Sequence, residues 1–170
     1  MEVLKQKKET GAREKTGGIS EKVNDVKNKR CIMKRSRMEY IDTSALIALS
    51  DKRDKNHVNA VKHLKESVKK GTRFVIGKHV LIEYLDGVTK RIGKEKAIYE
   101  LDKILNSKIV VLELETKKDW IKSLEYFRMY NDQRIDLTDC LSFALMERLE
   151  LKQVFTFDSD FRIHGFEVLL

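Results

Sequence analysis

The sequence predicts an α/β fold in which a parallel sheet carries helices on both faces. Short β-type apolar runs alternate with helical repeats from residue 38 onward, the pattern of successive βαβ units. A chain of 170 residues suits one domain and is long enough to bury a core without disulfides or a structural metal. Pro is absent, so the turns rest on Gly, Asn and Asp.

The elements follow in order. Met38–Ile41 is a short extended stretch, and Thr43–Leu49 after it is apolar and helical. In Asn56–Lys70, Val58, Val61, Leu64 and Val68 recur at helical spacing, with Asn56 as N-cap and Gly71 as the stop. Arg73–Ile76 is a strand closed by Gly77. His79–Arg91 is helical, weakened by Gly87. Lys94–Asn106 sets Ile98, Leu101 and Leu105 on one face. Lys108–Leu112 is a buried strand, and Thr116–Tyr130 is a helix carrying Trp120, Leu124 and Phe127 at helical spacing. Asp136–Glu150 is a further helix, and Gln153–Phe157 and Phe166–Leu169 are the last strands.

Charge divides the chain. Residues 1–37 hold 12 Lys/Arg against 5 Asp/Glu, and residues 38–170 hold 23 against 22. The first segment has few large apolar residues and no sustained period, so disorder is expected there. A basic tail of this kind either attracts nucleic acid without sequence preference or is a solvated segment with no role of its own. The two cysteines, Cys31 and Cys140, lack metal-ligand spacing, which argues against structural zinc and for a reducing compartment. No apolar run approaches the ~18 residues that would span a bilayer, and the charged start lacks the apolar core of a secretory signal. The expected location is the cytoplasm.

Four acids fall at element junctions or in apolar context. Asp42 and Asp158 follow the strands Met38–Ile41 and Gln153–Phe157. In parallel sheets, ligands bind at the carboxyl ends of the strands. Glu83 sits within HVLIEYL, and Asp139 in the first turn of the helix in IDLTDCLSFALM. Each has a structural explanation: Asp42 and Asp136 as N-caps, Asp139 as a capping-box partner and Asp158 as an Asx-turn. Glu83 has the weakest one, because an apolar helix segment is a poor place for a lone carboxylate. Four caps would not require four carboxylates, since Ser, Thr or Asn serve as well. If the four converge, they repel unless a cation neutralises them. A hard divalent ion prefers oxygen ligands, polarises a phosphoryl oxygen and lowers the pKa of water. No His/Ser or Cys/His pair has suggestive spacing, so hydrolysis of a phosphodiester is the chemistry the sequence points to.

The succession YIDTSALIAL, IEYL, LTDCLSFALM and FTFDSDF resembles the PIN-domain nucleases, and within them the VapC-type toxin ribonucleases of toxin–antitoxin pairs. The resemblance covers residues 38–170. It implies a three-layer α/β/α fold with a central parallel sheet of about five strands. It also implies an endoribonuclease dependent on Mg²⁺ or Mn²⁺. Carried over by position, Asp42, Glu83, Asp139 and Asp158 are the catalytic and metal-holding acids. Thr43, Ser44, Thr138 and Thr156 orient the carboxylates or metal-bound water from behind, Asp160 is a turn residue or, as the weaker alternative, an accessory acid, and Asp136 is a cap. The resemblance further implies an RNA substrate, a small antitoxin partner and a homodimer, with Asn56–Lys70 and His79–Arg91 as dimer candidates. Lys52, Arg53, Lys55, Lys90, Arg91 and Arg134 are candidates for phosphate contact. The basic extension is a departure from the family and raises an internal start at Met38. The alternatives are an RNA-maturation nuclease without an antitoxin, or a catalytically silent domain that binds RNA or protein. A haloacid-dehalogenase-type phosphatase needs a second acid two positions after Asp42, where this chain has Ser44.

Overall fold

The computed structural model describes residues 37–170. The expectations for residues 1–36, including disorder and the fate of Cys31, lie outside the described residues, and so does what precedes Met38 apart from Arg37.

Five strands form one parallel sheet in the order β3-β2-β1-β4-β5. They are β1 (Met38–Ile41), β2 (Arg73–Gly77), β3 (Val110–Glu113), β4 (Gln153–Phe155) and β5 (Glu167–Val168). Among the described residues seven helices accompany them: α1 (Thr43–Ser50), α2 (His57–Lys69), α3 (Lys78–Arg91), α4 (Lys94–Leu105), α5 (Lys117–Met129), α6 (Leu137–Arg148) and α7 (Asp160–His164). The chain builds outward from β1 to β2 and β3, then returns to lay β4 on the other side of β1. The switch point of the sheet therefore lies between β1 and β4, which pair through Tyr40 with Val154 and Ile41 with Phe155. One further backbone bond, from Asp42 N–H to the Phe155 carbonyl at 3.2 Å, carries the pairing to the carboxyl edge. No described helix is long and apolar enough to cross a membrane.

Alternation along β1 assigns the layers. Glu39 and Ile41 point to one face, where Glu39 meets His63 and Ser67 of α2. Tyr40 points to the other, against Ser142 of α6 and Phe161 of α7. Tyr40, Phe74, Val75, Ile76, Phe143, Leu145, Val154, Phe155 and Phe161 are almost fully buried and form the centre of the core. The three-layer α/β/α arrangement is thus as the sequence predicts.

Several local expectations are corrected. Asn56 makes no side-chain cap for α2; Asp54 instead accepts from the Asn56 N–H at 2.7 Å in an Asx-turn. β3 starts two residues later than expected, β4 stops at Phe155, and α7 is an unforeseen helix closed by Gly165 in the left-handed region at φ 104°. The buried faces of three helices are rotated by about one residue from the apolar stripes. α2 buries Ala60 and Ser67 and leaves Val58 75 % exposed. α4 buries Ala97 and Glu100 and exposes Ile98 and Leu105. α5 buries Asp119, Ser123 and Tyr126 and exposes Trp120 and Phe127. The cause is polar. Glu39 is 1 % exposed in the sheet and needs the donors that α2 supplies. Glu100 takes Lys96 and Lys103 at 2.6 and 2.9 Å. Asp119 takes Arg148 at 2.9 Å and closes a capping box with Thr116.

Candidate active site

Asp42 leaves β1 in extended conformation and begins α1. Its Oδ2 accepts three hydrogen bonds: from the Ser44 backbone at 3.1 Å, the Ser44 hydroxyl at 2.7 Å and the Thr156 hydroxyl at 2.9 Å. It therefore caps the helix, and among the described residues its bonds all fall on Oδ2. Ser44 and Thr156 also lie 3.0 Å apart, tying the end of β1 to the end of β4. Thr156 then accepts from the Asp158 N–H at 2.9 Å, and Asp158 Oδ1 accepts from the Asp160 N–H at 3.0 Å. This run of short turns swings Asp158 and Asp160 over the carboxyl edge of the sheet.

Asp139 arrives from α6. Asp136 caps that helix by accepting from the Asp139 N–H at 3.0 Å. Carboxylate oxygens of Asp139, Asp158 and Asp160 all lie within 4.8 Å of one another. Burial, and then the charges of Asp136, Asp42 and Asp158, push the Asp139 carboxyl up to about 8. Burial and the charges of Asp158 and Asp136 raise Asp160 as well. Asp42, Asp139, Asp158 and Asp160 thus share one electrostatic environment. Glu83 stands differently. It is exposed on α3 and accepts from the Thr43 hydroxyl at 2.8 Å on Oε2. Its charge and that of Asp42 both act on His79, which places it on the flank of the same edge. Thr138 is half-buried and donates to none of these acids.

The donor set suits a hard divalent cation. It is all carboxylate and hydroxyl oxygen, and burial together with neighbouring negative charge leaves Asp139 holding its proton near neutral pH. That is the state a cation would relieve. No nitrogen or sulfur ligand joins it among the described residues.

Sequence reading passes over a second group beside the acids. His79 Nδ1 lies 2.6 Å from Glu115 Oε1, and its Nε2 lies 2.8 Å from the Ser142 hydroxyl and 3.3 Å from the Tyr40 hydroxyl. The sequence shows no His/Ser pair because this one spans 63 positions. The only signal for His79 is that it precedes Glu83 by one helical turn. Burial lowers the His79 pKa against the opposing pull of Glu115, so the ring is neutral at physiological pH. Burial also works to raise Glu115, but its bonds from the His79 ring and backbone outweigh that and hold it at about 2. Of the phosphate-contact candidates, Lys90 and Arg91 line a cleft of about 350 Å³ shared with Thr43 and Glu83. Arg53 is paired with Asp51 at 3.1 Å. Lys52, Lys55 and Arg134 are exposed.

A family model described as the PIN domain matches residues 40–167. No curated protein matches the chain. Among solved structures, Mycobacterium tuberculosis VapC20, described as a sarcin–ricin loop cleaving toxin, is similar with a TM-score of 0.68 at 25% identity. The match covers 76% of this chain and 95% of that one. VapBC2 from Rickettsia felis, solved bound to a DNA fragment from its promoter, gives 0.57 at 19% identity over 77% and 96% of the two chains. VapBC-1 from nontypeable Haemophilus influenzae gives 0.56 at 16% identity over 77% and 96%, and these last two likenesses are of fold.

Proposed function

Because the chain belongs to the PIN-domain family, we propose that it is a divalent-metal-dependent endoribonuclease and the toxin of a toxin–antitoxin pair. The observation that carries this reading is the gathering of carboxylate oxygens of Asp139, Asp158 and Asp160 within 4.8 Å of one another at the carboxyl edge of the sheet, beside Asp42. Asp42, Asp139 and Asp158 would hold Mg²⁺ or Mn²⁺, with Asp160 beside them and Glu83 on the flank. Bound there, the cation supplies Lewis-acid polarisation of a phosphoryl oxygen and neutralises the charge that develops on it. Ser44 and Thr156 fix Asp42 by one oxygen and leave the other for the site. Thr43 fixes Glu83 in the same way, leaving Oε1 to accept a proton from a water aligned on phosphorus. Lys90 and Arg91 attract the phosphates on either side.

RNA as substrate is supported by VapC20, whose description names cleavage of the sarcin–ricin loop. An antitoxin partner is supported by the relatives solved as VapBC complexes. An apolar cavity of about 280 Å³ bounded by Leu46, Leu49, Val61, Leu64 and Ile104 offers such a partner a seat. A homodimer is supported by the exposed Trp120, Ile121 and Phe127 of α5.

The test is cleavage of a mixed RNA pool with and without Mn²⁺. Cleavage is expected only with the metal, and Asp42→Asn should lower it at least ~100-fold while the melting temperature stays within a few degrees. Undiminished cleavage by that variant would remove Asp42 from the mechanism. Absence of cleavage by the unaltered chain under every metal condition would remove the nuclease reading.

A further inference from the structure

The four acids belong to separate elements that repel one another when ionised, so something must hold those elements in place. Apolar packing resists separation but has little directional preference. The residues beside the acids supply direction. Tyr40 lies on β1 two residues before Asp42. His79 lies on α3 four residues before Glu83 and so on the same face. Ser142 lies on α6 three residues after Asp139. Glu115 comes from the β3–α5 connection.

Their protons run one way. The Glu115 carboxylate only accepts, so His79 Nδ1 carries the ring proton and donates over 2.6 Å. His79 Nε2 is then an acceptor, and the Ser142 hydroxyl donates to it at 2.8 Å. The Tyr40 hydroxyl donates to Ser142 at 3.1 Å. Tyr40 and Ser142 are 0 % and 1 % exposed, so a missing member leaves a buried polar group without a partner. Glu115 also stands in for a missing cap. α3 starts after Gly77, which has no capping side chain. The His79 N–H instead donates to Glu115 Oε1 at 2.8 Å, with Lys78 3.2 Å from the other oxygen. Gly77 is required by close approach: a Cβ there would lie 2.5 Å from the His79 ring and 2.8 Å from the Tyr40 hydroxyl.

We infer that Tyr40, Ser142, His79 and Glu115 are positioning residues that lock β1, α3 and α6 together and so fix where Asp42, Glu83 and Asp139 stand at the carboxyl edge of the sheet. This rests on the proposed reading of the acids as a divalent-cation site. None of the four hydrogen-bonds to an acid of the site; they act through the elements that carry those acids.

The experiment is calorimetric titration of the full chain with Mn²⁺, with a melting curve and RNA cleavage kinetics for each variant. Ser142→Ala should weaken Mn²⁺ binding about tenfold or more. Ser142→Thr, which keeps the hydroxyl, should return it to within about threefold of the unaltered chain. Leu151→Ala serves as control, because it opens the core without touching the hydrogen-bond chain. It should melt lower and bind Mn²⁺ normally. If Ser142→Ala fails to fold, Tyr40→Phe removes one hydroxyl and keeps the ring, and should weaken Mn²⁺ at least about threefold. Normal Mn²⁺ affinity in the folded variants would overturn the inference, as would an equal loss in Leu151→Ala. If the unaltered chain binds no Mn²⁺, the cation reading fails and takes this inference with it. If it binds Mn²⁺ but cleaves no RNA, only the nuclease reading fails, because the positioning result stands on the calorimetry.

Discussion

Ionising Asp139 costs the folded chain free energy, because burial and its acidic neighbours hold the carboxyl up to about 8. In the unfolded chain the same group titrates near 3.9. Between those values the folded state keeps a proton that the unfolded state has released. The metal-free protein is therefore most favoured, as far as this group is concerned, below pH ~4. That contribution declines as pH rises towards about 8. Asp139→Asn removes the penalty and keeps the shape. The expected outcome is a metal-free melting temperature at pH 8 about 5 °C above that of the unaltered chain, with the gap closing towards pH 4. Mn²⁺ should raise the melting temperature of the unaltered chain and leave that of Asp139→Asn nearly unchanged. Calorimetric melts across pH 4–8, with and without Mn²⁺, measure both effects. A variant that melts lower at pH 8 would show that Asp139 is stabilised by partners rather than strained by them.

At the level of elements, the apolar stripes that face solvent need a purpose. α5 buries Asp119, Ser123 and Tyr126 and leaves Trp120, Ile121, Phe127 and Met129 each about half exposed. Capped at Thr116 and pinned by Arg148, the helix cannot turn them inward without leaving the buried Asp119 carboxylate without its arginine. In the homodimer proposed above, a second copy of the chain would cover this stripe. Replacing Trp120 and Phe127 together by Lys should shift the chain from dimer to monomer in sedimentation at micromolar concentration, with the secondary structure retained. A chain that is already monomeric before substitution would remove α5 from the interface. The same helix shows what the sequence makes legible. Periodicity located α5 to within a residue at each end, because a 3.6-residue repeat is a local property. It chose the wrong face, because what buries Asp119 is an arginine 29 positions away. The site divides in the same manner. Asp42, Asp139 and Asp158 are legible in sequence because they sit at strand and helix ends within a succession of short motifs, although each taken singly reads as a cap or a turn. His79, Glu115 and Ser142 are not, because their chemistry arises only when distant elements meet.

On the scale of the whole molecule, the excess of basic residues lies early in the sequence, whereas the acids of the site come later. Residues 37–170 carry 24 Lys/Arg against 22 Asp/Glu, while residues 1–36 carry 11 against 5. The carboxyl edge of the sheet is itself acidic, so it repels a polyphosphate until a cation is bound. On the proposed reading, attraction for RNA would rest on Lys90, Arg91 and the basic residues among the first 36. The fold marks where that segment ends. The Arg37 carbonyl accepts from the Arg73 N–H at 2.9 Å, and its side chain reaches Gln153 at 3.3 Å, so Arg37 belongs to the sheet. Removing residues 1–36 and keeping Arg37 should leave the melting temperature within about 2 °C. It should weaken RNA binding most at low salt, since each phosphate neutralised adds about −0.7 to the slope of log K against log salt for a single strand. The expected change is a slope shallower by about 2 to 4, read from binding in EDTA so that no cleavage intervenes. With metal restored, the turnover rate at saturating RNA should be unchanged, because the acids all lie downstream of Arg37. An unchanged slope would show that the basic segment makes no phosphate contacts. A large drop in melting temperature would mean that residues 1–36 complete the core rather than extend it.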